Sequence, residues 1–268
     1  MASPTDRSSP PREESLAEEL GREVLSVAAQ AGGMTVLALR LLRRLFPPRV
    51  DGPELLRNLH KMGVRSLPIV GVTALFTGAI MVIQAGVLIR RYGADGLLGW
   101  GAGFAILREV GPILIALMFS GRVGANTTAE LGTMTVTEQI DALSTLAIDP
   151  LSYLVLPRVL AMVAMLFILT IYGDALALVG AAFTGQGLLG IGARTFFNGL
   201  VEMVKAWDLI NGLIKSVGFG VIIAVASTYY GLSVTGGAPG VGRAVNAGVV
   251  ASATGIFITD YFSTYILR

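Results

Sequence analysis

The charged residues inside or beside long apolar stretches include Arg108, Glu109, Asp174, Lys215 and Asp260. A charge in a membrane span costs several kcal/mol unless it is paired or hydrated, so each is a candidate functional residue. Arg108, Glu109 and Lys215 each open an apolar stretch, and we expect all three near the same outer face. Two bases and one acid there suit an anionic headgroup, with acyl chains in the apolar interior. The alternative is that Arg108 and Glu109 are ordinary interfacial residues.

The other two acids, Asp174 and Asp260, lie deeper in their apolar stretches. We expect a structural role for both, as acceptors of hydrogen bonds from neighbouring helices. A proton relay is the alternative, because intramembrane carboxylates also serve as proton carriers.

Composition excludes several other kinds of site. The chain has no cysteine, which excludes disulfides, iron–sulfur clusters and thiol nucleophiles. Its one histidine, His60, lies in a basic segment and is expected to be a surface residue. The stretch "NGLIKS" lacks the glycines of a phosphate-binding loop. We therefore predict no catalytic residue, metal site or cofactor in this chain.

The elements that position these residues are predicted to be membrane helices. Only 14% of the 268 residues are charged, against about 25% in soluble domains, and the mean hydropathy is +0.71. We predict an all-α integral membrane protein with about five transmembrane helices, since a span needs ~20 apolar residues. The predicted spans are Ser66–Ile89, about 109–129, 158–186 as one long tilted helix, about 215–232 and about 245–266.

The first 65 residues hold half of the 20 Lys and Arg residues. By the positive-inside rule this places the amino terminus in the cytoplasm, and an odd number of spans places the carboxyl terminus outside. Residues 1–15 are predicted to be a disordered cytoplasmic tail. Residues 16–65 are predicted to form amphipathic interfacial helices, with a small soluble helical hairpin as the alternative, and residues 66–268 the transmembrane domain.

Small residues recur at every fourth position on three predicted spans, which allows helix backbones to approach closely in lipid. We therefore predict a tightly packed bundle with a symmetric partner. The three stripes are Ala116, Ser120, Gly124 and Thr128; Gly173, Ala177, Ala181 and Gly185; and Ala247, Ala251 and Gly255.

An acidic segment, "ELGTMTVTEQIDALSTLAIDP", interrupts the apolar chain at residues 130–150. Thr135 and Glu138 match a capping box, which predicts a helix beginning at Val136 and ending before Asp149-Pro150. Glu138 and Asp141 lie on one face of that helix and apolar residues on another. Anionic lipid would repel the acids, so we predict that this cytoplasmic helix docks on another protein.

Three stretches resemble the MlaE-type (YrbE) permease family, whose members are membrane subunits of ABC transporters that work with Mce-domain proteins. The stretches are "LREVGPILIALMFSGRVGANTTAELGTMTVTEQIDAL", "IDPLSYLVLPR" and "DLINGLIKSVGFG". The resemblance covers residues 50 to 268, in matching order.

The resemblance implies a homodimer in the bacterial inner membrane that moves lipids, typically phospholipids, between that membrane and the outer envelope. It implies two cytoplasmic ATPase subunits, which bind the ATP, and a hexameric Mce-domain protein on the outer side, with no nucleic-acid partner. It places a coupling helix at about 133–148 and the lipid cavity beside Arg108, Glu109 and Lys215. The residues expected to engage the ATPase are Thr135, Glu138, Gln139, Asp141 and Leu143.

Two other functions remain open at this point. One is an intramembrane lipid-modifying enzyme that uses Glu109, Asp174 or Asp260, although the chain offers it no plausible histidine or cysteine. The other is a secondary transporter driven by protons through Asp174. The permease hypothesis predicts no transport without the partner ATPase, whereas the proton-driven transporter would work alone and respond to uncouplers.

Overall fold

The computed structural model describes residues 16–45 and 51–267. Every regular element in those ranges is helical, which confirms the predicted fold class. The predicted disordered tail, residues 1–15, lies outside the described residues. The α-helices are α1 (Leu16–Arg44), α2 (Gly52–Gly63), α3 (Leu67–Arg91), α4 (Leu98–Ala105), α5 (Gly111–Phe119), α6 (Ala125–Val136), α7 (Gln139–Thr145), α8 (Leu156–Leu189), α9 (Ala193–Met203), α10 (Ala206–Leu232) and α11 (Gly237–Ile266).

Several of these helices join end to end through short 3₁₀ or π-helical turns. A 3₁₀ turn at Val64–Ser66 joins α2 to α3, and π turns at Ile106–Val110 and Ser120–Gly124 join α4, α5 and α6 into one helical stretch. A third π turn, Leu151–Val155, leads into α8.

Six of the resulting stretches within the described ranges are long and apolar enough to cross a membrane. Five overlap the predicted spans, and α8 is a single 34-residue helix, as predicted. The sixth, Gly21–Arg44, belongs to the segment predicted to be interfacial, and its placement relative to a bilayer stays a prediction. The six stretches are Gly21–Arg44, Gly52–Val87, Asp95–Val136, Leu151–Leu189, Ala206–Leu232 and Gly237–Ile266.

The second span begins at Asp95 and the fourth at Ala206, well before the predicted starts at Glu109 and Lys215. The residues between the first two predicted spans, where the charges of Arg90, Arg91 and Asp95 indicate a loop, include α4, which packs against α9. A Cβ atom on Gly99 would collide with the backbone carbonyl of Phe196. Glycine at position 99 therefore allows α4 and α9 to approach each other closely.

The largest helix–helix interface joins α3 to α8 and depends on small residues. A Cβ on Gly78 would collide with the carbonyl of Ala177, and one on Gly180 with the carbonyl of Leu75. All four members of the predicted α8 stripe are buried. This stripe is thus used within one chain, so it carries no information about a symmetric partner.

Helix α1 packs on the bundle through its second half. Leu37 and Leu41 pack against Val155 and Leu156, whereas residues 21–29 are exposed. Helix α11 is also poorly covered, with exposed aromatic side chains at Phe257, Tyr261, Phe262 and Tyr265. The two terminal helices therefore present large apolar surfaces to whatever surrounds the chain.

The bundle has two ends, which we name by α7. Helices α3 and α8 run away from α7, and the stretch Asp95–Val136 runs back toward it. We call the end that carries α7 the α7 end, and the opposite one the far end.

Candidate functional site

The π turn Ile106–Val110 carries Arg108 and Glu109. Such turns add one residue to a helix and are frequent at functional sites. Helix α4 precedes the turn and α5 follows it, so the two side chains lie within the second span. The prediction that Glu109 opens this span was wrong, because the helix continues through the glycine-rich segment before it.

Lys215 is the most buried charged side chain of this region, with only 1% of its surface exposed. Its Nζ atom donates hydrogen bonds to Glu109 Oε2 at 2.5 Å and to Thr264 Oγ1 at 2.7 Å. It also lies 3.0 Å from Asp260 Oδ1, within ion-pair distance but without the alignment of a hydrogen bond. Three helical stretches thus meet at this ammonium group.

Arg108 points to a different acid. Its Nη1 atom donates to Asp208 Oδ1 at 3.1 Å, and its guanidinium carbon lies 5.3 Å from the centre of the Phe104 ring. Its Nε atom is 4.0 Å from Glu109 Oε1, which links it to the Lys215 group. We call Arg108, Glu109, Asp208, Lys215, Asp260 and Thr264 the far-end cluster.

The structure brings Arg108, Glu109 and Lys215 together, as the sequence predicts, but it adds two acids. Two bases face three carboxylates, so the predicted excess of positive charge is wrong. Asp208 lies seven residues, or two helical turns, before Lys215 on the same face of α10. Asp208 was not among the predicted site residues, because this helix was predicted to begin at Lys215.

A cavity of about 860 Å³ opens beside the far-end cluster. Its wall combines charged groups with aromatic rings from the α4–π-turn segment and from α11. The lining residues are Phe104, Arg108, Glu109, Phe257, Asp260, Tyr261, Thr264 and Tyr265. Lys215 lies behind this wall and reaches the cavity only through Glu109, Asp260 and Thr264.

Asp174 lies apart from the far-end cluster. It is 2% exposed, and neither of its carboxylate oxygens has a hydrogen-bond partner within the described residues. The expectation that it accepts hydrogen bonds from neighbouring helices was therefore wrong. Its carboxylate packs against Gly111, where any Cβ atom would collide with Asp174 Oδ1.

The acidic segment at the α7 end folds differently from the capping-box prediction. Helix α6 continues to Val136, and Thr135 Oγ1 donates to the carbonyls of Leu131 and Gly231. Glu138 adopts a left-handed backbone conformation with a φ of 58° and makes no side-chain cap. The separate helix α7 therefore begins at Gln139 instead of Val136, because Thr135 bonds within its own helix and to α10.

Helix α7 stands clear of the bundle, and none of its residues is buried. Glu138, Gln139 and Asp141 are exposed, whereas Thr135 and Leu143 are partly covered. Four of the five predicted coupling residues thus lie on or next to α7, and Thr135 lies in α6. Their role in coupling stays a prediction.

An aspartate that follows α7 connects this region to α1. Asp149, just before the third π turn, pairs with Arg44 of α1 at 2.7 Å. Burial raises the pKa of Asp149, but a hydrogen bond from the Ser152 hydroxyl and the charge of Arg44 outweigh it and hold the pKa below its ordinary value. The Arg44–Asp149 contact thus ties the end of α1 to the segment that follows α7.

Comparison with known proteins identifies the family. The family model described as "Permease MlaE" matches residues 55–266. The chain is 34% identical over 249 residues to a probable ABC transporter permease protein of Rickettsia bellii, covering 93% of this chain and 96% of that protein.

Two further relatives carry more specific names. The intermembrane phospholipid transport system permease protein MlaE of Haemophilus influenzae is 32% identical over 249 residues, covering 92% of this chain and 95% of that protein. The chloroplastic protein TRIGALACTOSYLDIACYLGLYCEROL 1 of Arabidopsis thaliana is 33% identical over 226 residues, covering 84% and 65%. With the family model spanning nearly all of the membrane helices, the chain belongs to the MlaE permease family.

Proposed function

We propose that this chain is the permease subunit of an ABC transporter that moves phospholipids between the inner membrane and the outer envelope. A separate cytoplasmic ATPase binds the ATP and supplies the energy. Membership in the MlaE family supports the transporter class, as does the name of the Haemophilus relative. The observation that carries the lipid assignment is the far-end cavity, with charged and aromatic side chains in one wall.

The chemistry of the cavity suits a phospholipid with a zwitterionic headgroup, which carries a negative phosphate and a positive ammonium group. Arg108 retains 17% side-chain exposure and can donate to a phosphate. Glu109 is 30% exposed and can accept from an ammonium group. The rings of Phe257, Tyr261 and Tyr265 provide apolar surface for acyl chains.

A homodimer and an outer partner complete the proposed assembly. The far-end cavity is open on one side, and the exposed aromatic face of α11 borders it. A second copy packed there would enclose the lipid. We propose that a Mce-domain protein lies over the far end, which then faces the periplasm, with the amino terminus in the cytoplasm.

The ATPase is proposed to dock on α7. This helix projects from the bundle, is short enough to fit a groove on another protein, and has exposed acids at Asp141 and at Glu138, the residue just before it. Helix α6 connects it directly to the second span, which holds Arg108 and Glu109. A displacement of α7 by the ATPase would therefore reach the cavity through one continuous helical stretch.

The lipid site is tested by Arg108→Gln. Phospholipid that co-purifies with the chain in mild detergent is extracted and quantified per mole of protein. We expect about tenfold weaker retention, because a charge-assisted contact to the phosphate is lost. Arg194→Gln is the matched control, since Arg194 is an exposed arginine at the same end. Equal lipid content in both variants would contradict the assignment.

The docking site is tested by the double variant Glu138→Lys/Asp141→Lys. Reversing two exposed charges places like charges opposite a complementary partner, so we expect at least about tenfold weaker co-purification of the ATPase. Asp95→Lys/Glu202→Lys reverses two exposed acids at the far end and should leave the complex intact. Unchanged ATPase recovery with Glu138→Lys/Asp141→Lys would remove α7 as the docking site.

One observation favours the proton-driven alternative, namely the unpaired carboxylate of Asp174. Proteoliposomes separate the two mechanisms. The permease proposal predicts lipid movement only with the ATPase and ATP, and movement that survives Asp174→Asn. Uncoupler-sensitive movement by this chain alone, lost in Asp174→Asn, would establish the alternative.

A further inference from the structure

A second polar cavity, of about 110 Å³, lies at the α7 end between α2 and the second π turn. Its wall includes four charged side chains, Lys61, Arg65, Arg122 and Glu130, together with the amide of Asn126. None of these residues belongs to the far-end cluster. The cavity holds a phosphate-sized group but not a whole lipid.

The only acid in this wall is already shared between two bases. Lys61 Nζ donates to Glu130 Oε1, and on the other side Arg158 Nη2 lies 3.8 Å from Glu130 Oε2. Arg158 itself is only 9% exposed. The charge of Glu130 is therefore fully countered before Arg65 and Arg122 are considered.

Arg65 and Arg122 have no such counter-charge. No carboxylate of residues 16–45 or 51–267 lies within ion-pair distance of either guanidinium. Arg122 Nη1 is buried without a hydrogen-bond partner in the same ranges. A buried donor left unsatisfied costs about 1–3 kcal/mol, and more when it is charged, so this geometry favours a bound acceptor.

An apolar groove of about 360 Å³ begins close to this cavity, along α3 and α5. Thr73 lies two helical turns beyond Ser66, and Met118 lies one turn from Arg122, so the groove follows the same helix faces. Phe76, Val72 and Leu114, all in its wall, are exposed on the bundle surface. The cationic cavity and the apolar groove thus lie in line, as the headgroup and acyl chain of one lipid do.

We propose that this site binds an anionic phospholipid of the leaflet at the α7 end. Its phosphate accepts hydrogen bonds from Arg65 and Arg122, and one acyl chain lies in the α3–α5 groove. The cavity lies at the depth expected for a lipid headgroup, because the charge-free run of the first span begins at Ser66, beside the cavity. Guanidinium groups suit phosphate because their planar donors match its oxygens. The site is separate from the far-end cavity and does not depend on the proposed transport activity.

Thermal unfolding of the full chain in nonionic detergent tests this inference. The probes are dioctanoyl phosphatidylglycerol, dioctanoyl phosphatidylcholine and inorganic phosphate. We expect phosphatidylglycerol to raise the unfolding midpoint most, with about tenfold weaker apparent affinity in Arg65→Gln and in Arg122→Gln. Leu114→Trp, which fills part of the groove, should weaken phosphatidylglycerol and leave any response to inorganic phosphate unchanged.

Two matched controls define specificity. Arg57→Gln removes an exposed arginine of α2 that pairs with Glu54 outside the cavity, and it should respond like wild type. Arg108→Gln weakens phospholipid binding at the far-end cavity, so the response to phosphatidylglycerol that this variant retains reports on the α7-end cavity and should be lost when Arg65→Gln is added.

Three outcomes would overturn the inference. The first is an equal response to phosphatidylcholine in the Arg108→Gln background, and the second is wild-type affinity in Arg65→Gln, an exposed position whose replacement does not threaten the fold. The third is a shift by inorganic phosphate as large as that by phosphatidylglycerol, which would assign the cavity to a free anion.

Discussion

The two π turns of the second span each carry an arginine, and the two arginines meet opposite surroundings. At the far end, Arg108 pairs with Asp208 at 3.1 Å, and the cluster holds more acids than bases. At the α7 end, Arg122 has a buried donor without a partner among the described residues, and the one acid of the cavity wall, Glu130, already pairs with Lys61 and Arg158. The same local feature, a π turn that carries an arginine, thus occurs twice, 14 residues apart, in two different charge environments.

The difference shows that the neighbouring helices, not the π turn, determine what each arginine can bind. Helices α10 and α11 supply acids at the far end, so its charges satisfy one another and a ligand must compete with internal ion pairs. Helix α2 and α8 supply bases at the α7 end, so positive charge remains for an anion. We therefore expect the far-end cluster to contribute more to the stability of the fold. The α7-end cavity should select more strongly for ligands with a negative charge.

The largest expected effect of this difference is at Lys215. Lys215→Met leaves Glu109 and Asp260 without their ammonium partner in a site that is largely buried. Breaking a buried ion pair in this way typically costs about 3–5 kcal/mol. We expect a loss of that order in the free energy of unfolding, measured by denaturant titration of the detergent-solubilised chain.

A triple variant distinguishes two causes of this destabilisation, the loss of the ion pairs and the loss of side-chain packing around Lys215. Lys215→Met/Glu109→Gln/Asp260→Asn removes the stranded charges and should regain much of the stability, because apolar or neutral replacements of buried ion pairs are often tolerated. If Lys215→Met alone unfolds like wild type, the far-end cluster does not stabilise the fold and the contrast between the clusters fails.

A much smaller effect is expected from the matching change at the α7 end. Lys61→Met removes an ammonium group whose side chain is 41% exposed, and Glu130 keeps Arg158 as a partner. Exposed pairs contribute about 0–1 kcal/mol, so the free energy of unfolding should fall by no more than that. A loss as large as that of Lys215→Met would mean that the two clusters are energetically alike.

The smallest effect concerns an ion pair outside both clusters, Arg44–Asp149. The pKa of Asp149 is lowered in the folded chain, so its stabilising contribution is present above the ordinary value of 3.8 and is lost as the pH falls below it. The Asp149 side chain is 44% exposed, so solvent screening limits the contribution to about 0–1 kcal/mol.

Unfolding midpoints of wild type and Asp149→Asn between pH 6 and pH 3 measure this contribution. The wild type should be slightly more stable at pH 6, and the difference should vanish toward the acidic end. A difference that grows on acidification would have the wrong sign for a lowered pKa.

Much of the fold follows from local sequence patterns. Apolar runs of sufficient length predicted five of the six membrane-length helices, and the run from Arg158 to Gln186, interrupted only by Asp174, predicted α8 as one helix. The rarity of charge in those runs singled out Arg108, Glu109 and Lys215. These features are predictable because the length and polarity of a span are set by the bilayer, whatever the neighbouring helices are.

Helix starts and side-chain partners were predicted less well. The capping box failed because the Thr135 hydroxyl donates to the carbonyl of Gly231, 96 residues away, instead of accepting a hydrogen bond from the backbone N–H of Glu138. Asp174 was expected to have partners and has none among the described residues. Both outcomes depend on which helix lies alongside, and a local pattern contains no information about that.

The sequence by itself determined the all-α class, the membrane spans and the charged residues that required an explanation. Only the tertiary structure decided that Asp208 and Asp260 join the far-end cluster, and that Glu130 lies between Lys61 and Arg158. The physical reason is that helical periodicity determines which residues share one face of a helix. Pairing between helices depends on where the glycines at positions such as 78, 99 and 180 allow two backbones to meet.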